Sequence, residues 1–471
     1  MVNILLLILI FLLSTVLTIY LVLKKPHFNF KIANKEYKIE SYFFGAMLAP
    51  ILIVLFKFLT YADLRTGLKG TAQLQPLGIL ILFLSMVFIS IFLDITGFFE
   101  YCAKLALKIA GKSGTKLFIA LYVTVSILTI FTSNDIIILT FTPFIYYFAK
   151  NAKINPLPFL IAEFFAANTW SMMLYIGNPT NILIATAFNI SFDNYLKWMF
   201  FPTILAGITN FILLYLIFKK EINKEIEVID VGRPIDSIKD KFGAIVGLIS
   251  LILCIILLAI APKLKLSMWA VSLIFAAMLL FFIIIRDLIK IILKKYKDKE
   301  KIHENLDKHL EHTTANSTLQ KIPWTVIPFV LSLFITVYAL NIYGITQAIG
   351  LFIKNLIGTD IILNIFVYGF GSALSANILN NIPMSVAFVS IITPLSGALQ
   401  FFVALAVVIG SNLGANITPI GALAGIMWLG ILKSKDFTLS FLDFVKYGVL
   451  ITGITLLVAL GTLGLEVLLF I

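Results

Sequence analysis

The sequence predicts an all-α, polytopic membrane protein made of two inverted repeats with broken helices. Three observations carry that prediction: apolar runs of 18 or more residues along the whole chain, lysine-rich loops on one side of them, and an internal register at a spacing of 247 residues. Of 471 residues, 60% are hydrophobic and only 13% charged, with a mean hydropathy of +1.04, which excludes a soluble domain. The runs are too long and uninterrupted for the alternating strands of a membrane β-barrel.

The first run, "ILLLILIFLLSTVLTIYLVL" at 4–23, is too long for a signal peptide and lacks a small-residue cleavage site, so it is expected to be a retained helix. A second span is expected at 41–60, and residues 1–75 form an N-terminal scaffold. Between the two spans lie Lys24, Lys25, Lys31, Lys35 and Lys38, which put that loop in the cytoplasm and the N-terminus outside. Residues 76–220 are the first repeat, 221–241 a cytoplasmic loop, and 242–286 a linking helix pair. Residues 287–322 are a charged, partly helical cytoplasmic connector, and 323–471 the second repeat. Its last span, 442–471, runs outward from Lys433 and Lys435. The loops at 219–241 and 286–321 carry six and nine Lys/Arg, so the net charge of +12 reflects membrane orientation and not a nucleic-acid partner. Cys102 and Cys254 imply no disulfide or metal framework, and His303, His309 and His312 read as part of a solvated linker.

Shifted on itself by 247 residues, the chain puts Gly97 on Gly344, Gly111 on Gly358 and Asn134 on Asn381. Each half reads as a long span, a short amphipathic segment and another apolar span. An asparagine-bearing break follows, then an apolar run closed by Thr-Pro (Thr142-Pro143, Thr393-Pro394) and a second break. The lysine distribution runs the span near 76–96 inward and the span near 323–341 outward, so the halves are inverted. Corresponding broken helices in inverted repeats place a transporter's binding site between the repeats.

The four breaks are "TSND" at 132–135, "GNPTN" at 177–181, "NNIP" at 380–383 and "GSNLGANITPIG" at 410–421. Backbone that is not helical at membrane depth survives only where it lines a protein-enclosed or watery cavity. Its freed carbonyls, with Asn and Thr oxygens, suit a hard cation, and freed N–H groups at half-helix N-termini suit anions or hydroxylated solutes. The candidate binding residues are Ser133, Asn134, Asp135, Asn178, Thr180, Asn181, Asn380, Asn381, Ser411, Asn412, Asn416 and Thr418. The same residue types also cap helices at ordinary loops, but four breaks in repeat-related places favour a site. Asp135, alone between apolar runs, reads both as a proton carrier and as the N-cap of a helix starting at Ile136. Glu163 is a second candidate for proton coupling, with an interhelical hydrogen bond as its other reading; Asn168 and Thr169 lie at similar depth and are expected to face the same cavity. Asp94 and Glu100 flank a span end and read as interfacial.

"GSNLGANITPIGALAGIMWLGILK", "TSNDIIILTFTPFIYYFAK" and "NNIP" resemble signatures of the ArsB arsenite/antimonite efflux pumps. That family belongs to the ion transporter superfamily, with NhaD-type sodium/proton antiporters and divalent anion:sodium symporters. The resemblance covers roughly residues 76–450. It implies that Asn134, Asp135, Asn178, Asn181, Asn380, Asn381 and the Ser411–Thr418 loop line the site. It also implies a re-entrant helical hairpin in each repeat, elevator-type or rocking transport, and a possible homodimer. Where the pumps carry an acidic residue and a lysine, this chain has Asn412 and Asn416, a change that would alter proton coupling or solute choice. "GNPTN" is closer to the loops of the sodium-coupled anion carriers.

The expected function is proton-coupled efflux of arsenite or antimonite by a multi-pass protein of the bacterial inner membrane. The alternative is a sodium-coupled anion (dicarboxylate) symporter or a sodium/proton antiporter. No cofactor is expected beyond a transmembrane proton or sodium gradient. The expected partners are a small inorganic or carboxylate solute, protons or sodium, and membrane lipid. No histidine-rich metal cluster, Ser/His pair or phosphate loop lies at membrane depth, which argues against an enzyme.

Overall fold

The structure, a computed structural model, describes residues 2–25, 27–32, 35–70, 75–226, 232–261, 264–297, 313–435, 437 and 439–471. After α1 (Val2–Lys24) the chain forms an antiparallel β-hairpin, β1 (His27–Ile32) with β2 (Lys35–Glu40), so the fold is not purely α-helical. The lysines of this segment hid its alternation: "HFNFKI" and "KEYKIE" interleave aromatic or β-branched residues with polar ones, separated by two residues. Next come α2 (Tyr42–Leu55) and α3 (Tyr61–Lys69). The span expected at 41–60 therefore stops at Leu55, because Thr60 and Asp63 close a capping box that starts a new helix at Tyr61.

Two series of helices follow in the same order. The first is α4 (Pro76–Ile95), α5 (Phe98–Ala110), α6 (Gly114–Phe131), α7 (Asn134–Asn151), α8 (Leu157–Trp170), α9 (Pro179–Ala187) and α10 (Phe192–Ile222). Three linking helices come next: α11 (Lys241–Ile260), α12 (Met268–Lys297) and α13 (Thr314–Lys321). The second series is α14 (Val326–Ile342), α15 (Ile345–Ile357), α16 (Ile361–Leu379), α17 (Asn381–Ile392), α18 (Gly397–Gly414), α19 (Leu423–Ser434) and α20 (Phe441–Phe470). Among the described residues, ten helices are long and apolar enough to cross a membrane by length and composition. His303, His309 and His312 lie outside the described residues.

The glycines flanking α5 and α15 show why the internal register is visible in the sequence. Gly97 and Gly344 precede these helices at φ +87° and +72°, and Gly111 and Gly358 follow them at +57° and +70°. A side chain strains such backbone by about 1–2 kcal/mol. At Gly97 a Cβ would also lie 2.0 Å from the Ser237 carbonyl oxygen, whereas at Gly344 it would meet nothing within 4 Å. Gly97→Ala is therefore expected to lower the melting temperature in detergent clearly more than Gly344→Ala. Equal losses would contradict this packing.

Two boundaries differ from those expected. Helix α7 continues through Thr142-Pro143 to Asn151, since a proline inside a buried membrane helix is tolerated when neighbours satisfy the freed backbone. In the second series Thr393 does end α17. The fourth break also begins later than the sequence suggested: Gly410, Ser411, Asn412 and Gly414 are helical, and the break covers 415–422. The two glycines are not breakers but a close-packing surface against α16. A Cβ at Gly410 would lie 2.3 Å from Gly369 O, and one at Gly414 2.6 Å from Ala373 Cα. The two series are tied together by an aromatic cluster, in which Phe164 of α8 meets Trp428 of α19 at 5.2 Å and Phe444 of α20 at 5.5 Å between ring centroids.

Candidate functional site

The breaks leave four helix starts. Helix α7 opens after Ser133, α9 after its N-cap Asn178, α17 after its N-cap Asn380, and α19 after Ala422. Asn178 Oδ1 accepts the Thr180 N–H at 3.1 Å, as an N-cap should. Asn380 holds a φ of +72°, unusual for a side-chain-bearing residue. Its side chain supports that conformation by donating to Ile420 O (3.2 Å) and accepting from Ile382 N (3.4 Å), while Asn381 N donates to Gly421 O (2.9 Å).

A network of buried amides and hydroxyls crosses between the two series. Asn412 Oδ1 accepts from Asn178 Nδ2 and Ser171 Oγ, each at 2.9 Å, and Asn412 Nδ2 donates to Asn181 Oδ1 at 2.6 Å. Ser411 Oγ donates to Thr180 Oγ1 at 3.1 Å. A second chain runs from Asn134 Nδ2 to Asn168 Oδ1 and from Asn168 Nδ2 to Asn416 Oδ1, both at 2.9 Å. Thr418 donates to Asn377 Oδ1 at 2.7 Å, and Asn377 Nδ2 donates to Gly414 O at 2.9 Å. The predicted residues thus gather into three linked groups: Asn134 with Asn416; Asn178, Thr180 and Asn181 with Ser411 and Asn412; and Asn380, Asn381 and Thr418 around the late break.

Within this region Ser133 Oγ, Asn134 Oδ1, Asn381 Oδ1 and Ser385 Oγ are sealed from solvent and have no hydrogen-bond partner among the described residues. Buried polar atoms are normally paired, so these four point to a ligand. Asn134 and Asn381 are the pair 247 residues apart, each the first residue of its helix.

Asp135 lies in the first turn of α7, 8% exposed, and Ser133, not Asp135, occupies the N-cap position. Its carboxylate makes no hydrogen bond with the described residues; the positive end of the helix is its nearest compensation. Glu163 stands apart from the amide network, 1% exposed between α7 and α8, where Thr142 Oγ1 donates to it at 2.9 Å. Among the described residues no lysine or arginine is buried, so neither the amide network nor the two carboxylates has a buried cation beside it. Asp94 pairs with Lys321 at 2.9 Å, and Glu100 with Lys104 at 3.0 Å.

Asn168, expected to face the same cavity, joins the network, as do Ser171 and Asn377, which the sequence reading did not single out. Asn377 had a signal, an amide near the end of an otherwise apolar run; Ser171 had none, since a serine satisfies itself in any helix.

A family model described as a citrate transporter matches residues 4–405. The arsenical pump membrane protein of Escherichia coli (strain K12) is 27% identical over 389 residues, covering 82% of this chain and 85% of that protein. The arsenical pump membrane protein of Yersinia enterocolitica shows the same identity and coverage. The crystal structure of the Alcanivorax borkumensis YdaH transporter is similar with a TM-score of 0.54 at 14% identity, over 99% of this chain and 98% of that one.

Proposed function

The chain belongs to the citrate transporter family, within the ion transporter superfamily of the arsenical pumps, and from that premise we propose that it exports arsenite or antimonite in exchange for protons. It is a secondary transporter of the bacterial inner membrane and not an enzyme. One observation carries the choice of solute: the buried site consists of amides and hydroxyls with no cationic side chain among the described residues. Such a site suits a neutral polyhydroxy solute, which needs many hydrogen-bond partners and no counter-charge. Asp135, with Glu163 as a second group, is the proposed proton carrier, because a carboxylate in this setting can alternate between charged and neutral forms as the solute leaves and enters.

The transport cycle proposed has residues 76–220 and 323–471 as inverted repeats. The hairpins α6–α7 and α16–α17 and the broken helices α8–α9 and α18–α19 would move as one body against the remaining helices. The matched glycines and matched helix order support the repeat, and the dense cross-series network supports movement as one body. A homodimer is proposed on the superfamily resemblance alone.

Everted membrane vesicles test the solute. Arsenite should accumulate when they are energised, and a protonophore should abolish the accumulation; arsenite entry that ignores the proton gradient would sink the proposal. Glu163→Gln separates the two carboxylates. Glutamine still accepts from Thr142, so the fold should hold, and net accumulation should fall if Glu163 carries a proton. Unchanged accumulation would remove Glu163 from the mechanism.

A second reading, sodium-driven carboxylate symport, is favoured by the description of the matching family and by the unpaired Asn134 and Asn381 oxygens, which suit a hard cation. Strict dependence of transport on sodium would decide for it.

A further inference from the structure

Beside the site, on the lysine-bearing end of the molecule, a feature remains that the transport cycle above does not use. Tyr42, the first residue of α2, is 3% exposed, and its hydroxyl lies 2.9 Å from Thr325 Oγ1. Thr325 in turn donates to the Glu40 carboxylate. A threonine hydroxyl has one proton, and here it goes to Glu40, so the Tyr42 hydroxyl must be the donor to Thr325. The hydroxyls thus order as Tyr42 to Thr325 to Glu40, with the Glu40 carboxylate also within reach of the Tyr42 hydroxyl. Glu40 ends β2 at the surface of the molecule and is half-buried, with His27 opposite it in the hairpin register. Ser41 next to it donates to the carbonyl of Lys25.

Tyr42 also lines a small cavity of about 30 Å³ between α1, α14 and the tip of the α16–α17 hairpin. Its polar lining is Ser14, Thr15, Thr18, Tyr42, Thr336 and Asn380. That volume has room for about two waters, for which these six residues are the polar partners in an otherwise apolar lining. The cavity therefore spans from Tyr42 to Asn380, the residue that opens the second hairpin helix.

We propose that Glu40, Thr325 and Tyr42, with the water-sized cavity between Tyr42 and Asn380, form a proton relay joining the binding region to the lysine-bearing face, with Glu40 as its outer terminus. The relay rests on the proton-coupled reading of the site. In each transfer a proton enters at the Tyr42 oxygen as Tyr42 gives its own to Thr325, and Thr325 gives its proton to the Glu40 carboxylate. The hydroxyls then rotate back, so one proton crosses and neither hydroxyl is consumed. Transfer in the opposite direction reverses each step.

The test uses Tyr42→Phe, Thr325→Val, Thr325→Ser and Glu40→Gln in the full chain, reconstituted with arsenite as the probe. Two rates are read: net arsenite-driven proton movement, and arsenite–arsenite exchange, which needs no net proton transfer. Tyr42→Phe, Thr325→Val and Glu40→Gln should slow proton movement roughly a hundredfold, the scale on which removing a positioned proton-transfer group acts. Exchange should persist in all of them, which shows they are folded, and Thr325→Ser should keep both rates. If the wild type moves protons and Tyr42→Phe and Thr325→Val match it, the relay is wrong and the proton-coupled reading stands. If the wild type moves no protons with arsenite, that reading falls and the relay with it.

Discussion

Asp135→Asn is expected to abolish net proton-coupled accumulation while the protein remains folded and still exchanges substrate for substrate. The replacement keeps the size of the side chain and removes its charge. Because the Asp135 carboxylate makes no hydrogen bond with the described residues, no partner is lost. Only the helix-end interaction is given up, worth about 0.3–1 kcal/mol and offset by the removal of a buried charge. The stability change should therefore be small and the coupling change complete. Thermal unfolding in detergent measures the first, and accumulation against a gradient measures the second. A variant that still concentrates arsenite would show that Asp135 is not the coupling group.

Asn412→Leu should be the most damaging single change in the site. Asn412 is fully buried and serves three side chains of the first series at once: Ser171, Asn178 and Asn181. Leucine has a similar volume but takes the partner from Asn178 Nδ2 and Asn181 Oδ1, at about 1–3 kcal/mol for each, while Ser171 keeps its bond to Asn168 O. The expected result is a loss on the order of 5 kcal/mol in stability and loss of solute binding. Asn412→Asp keeps the acceptor for Asn178 and Ser171 but loses the donor to Asn181, and should be intermediate. If Asn412→Leu melts within a degree or two of the wild type, the cross-series network is not what holds the broken helices together.

These two residues also show what the sequence could and could not tell. Asp135 was legible because a lone carboxylate between apolar runs has few reasons to exist. The pairing of Asn134 with Asn381 was legible because positive-φ glycines flank α5 and α15 at equivalent positions, and such backbone admits few other residues. Asn412 was found for the wrong local reason. It lies within α18 and not in a break, and its neighbouring glycines serve close packing against Gly369 and Ala373. Glycine written in a membrane segment does not say whether it bends a helix or lets another approach; only the neighbour decides.

The β-hairpin at 27–40 was missed for a related reason. Its alternation spans two six-residue strands, too short to outweigh the charge that marked the segment as a loop. Asn377 and Ser171 depend on partners more than thirty residues away, and no local pattern carries such information.

The central claim is that these buried amides and carboxylates couple a neutral metalloid solute to protons. It is tested most directly by substrate-dependent proton movement in everted vesicles containing this protein, with arsenite, antimonite, sodium and a dicarboxylate added one at a time. Proton-coupled metalloid export requires a response to arsenite and antimonite and none to sodium or the dicarboxylate. A response to sodium alone, or transport only when sodium and the carboxylate are present together, would contradict it.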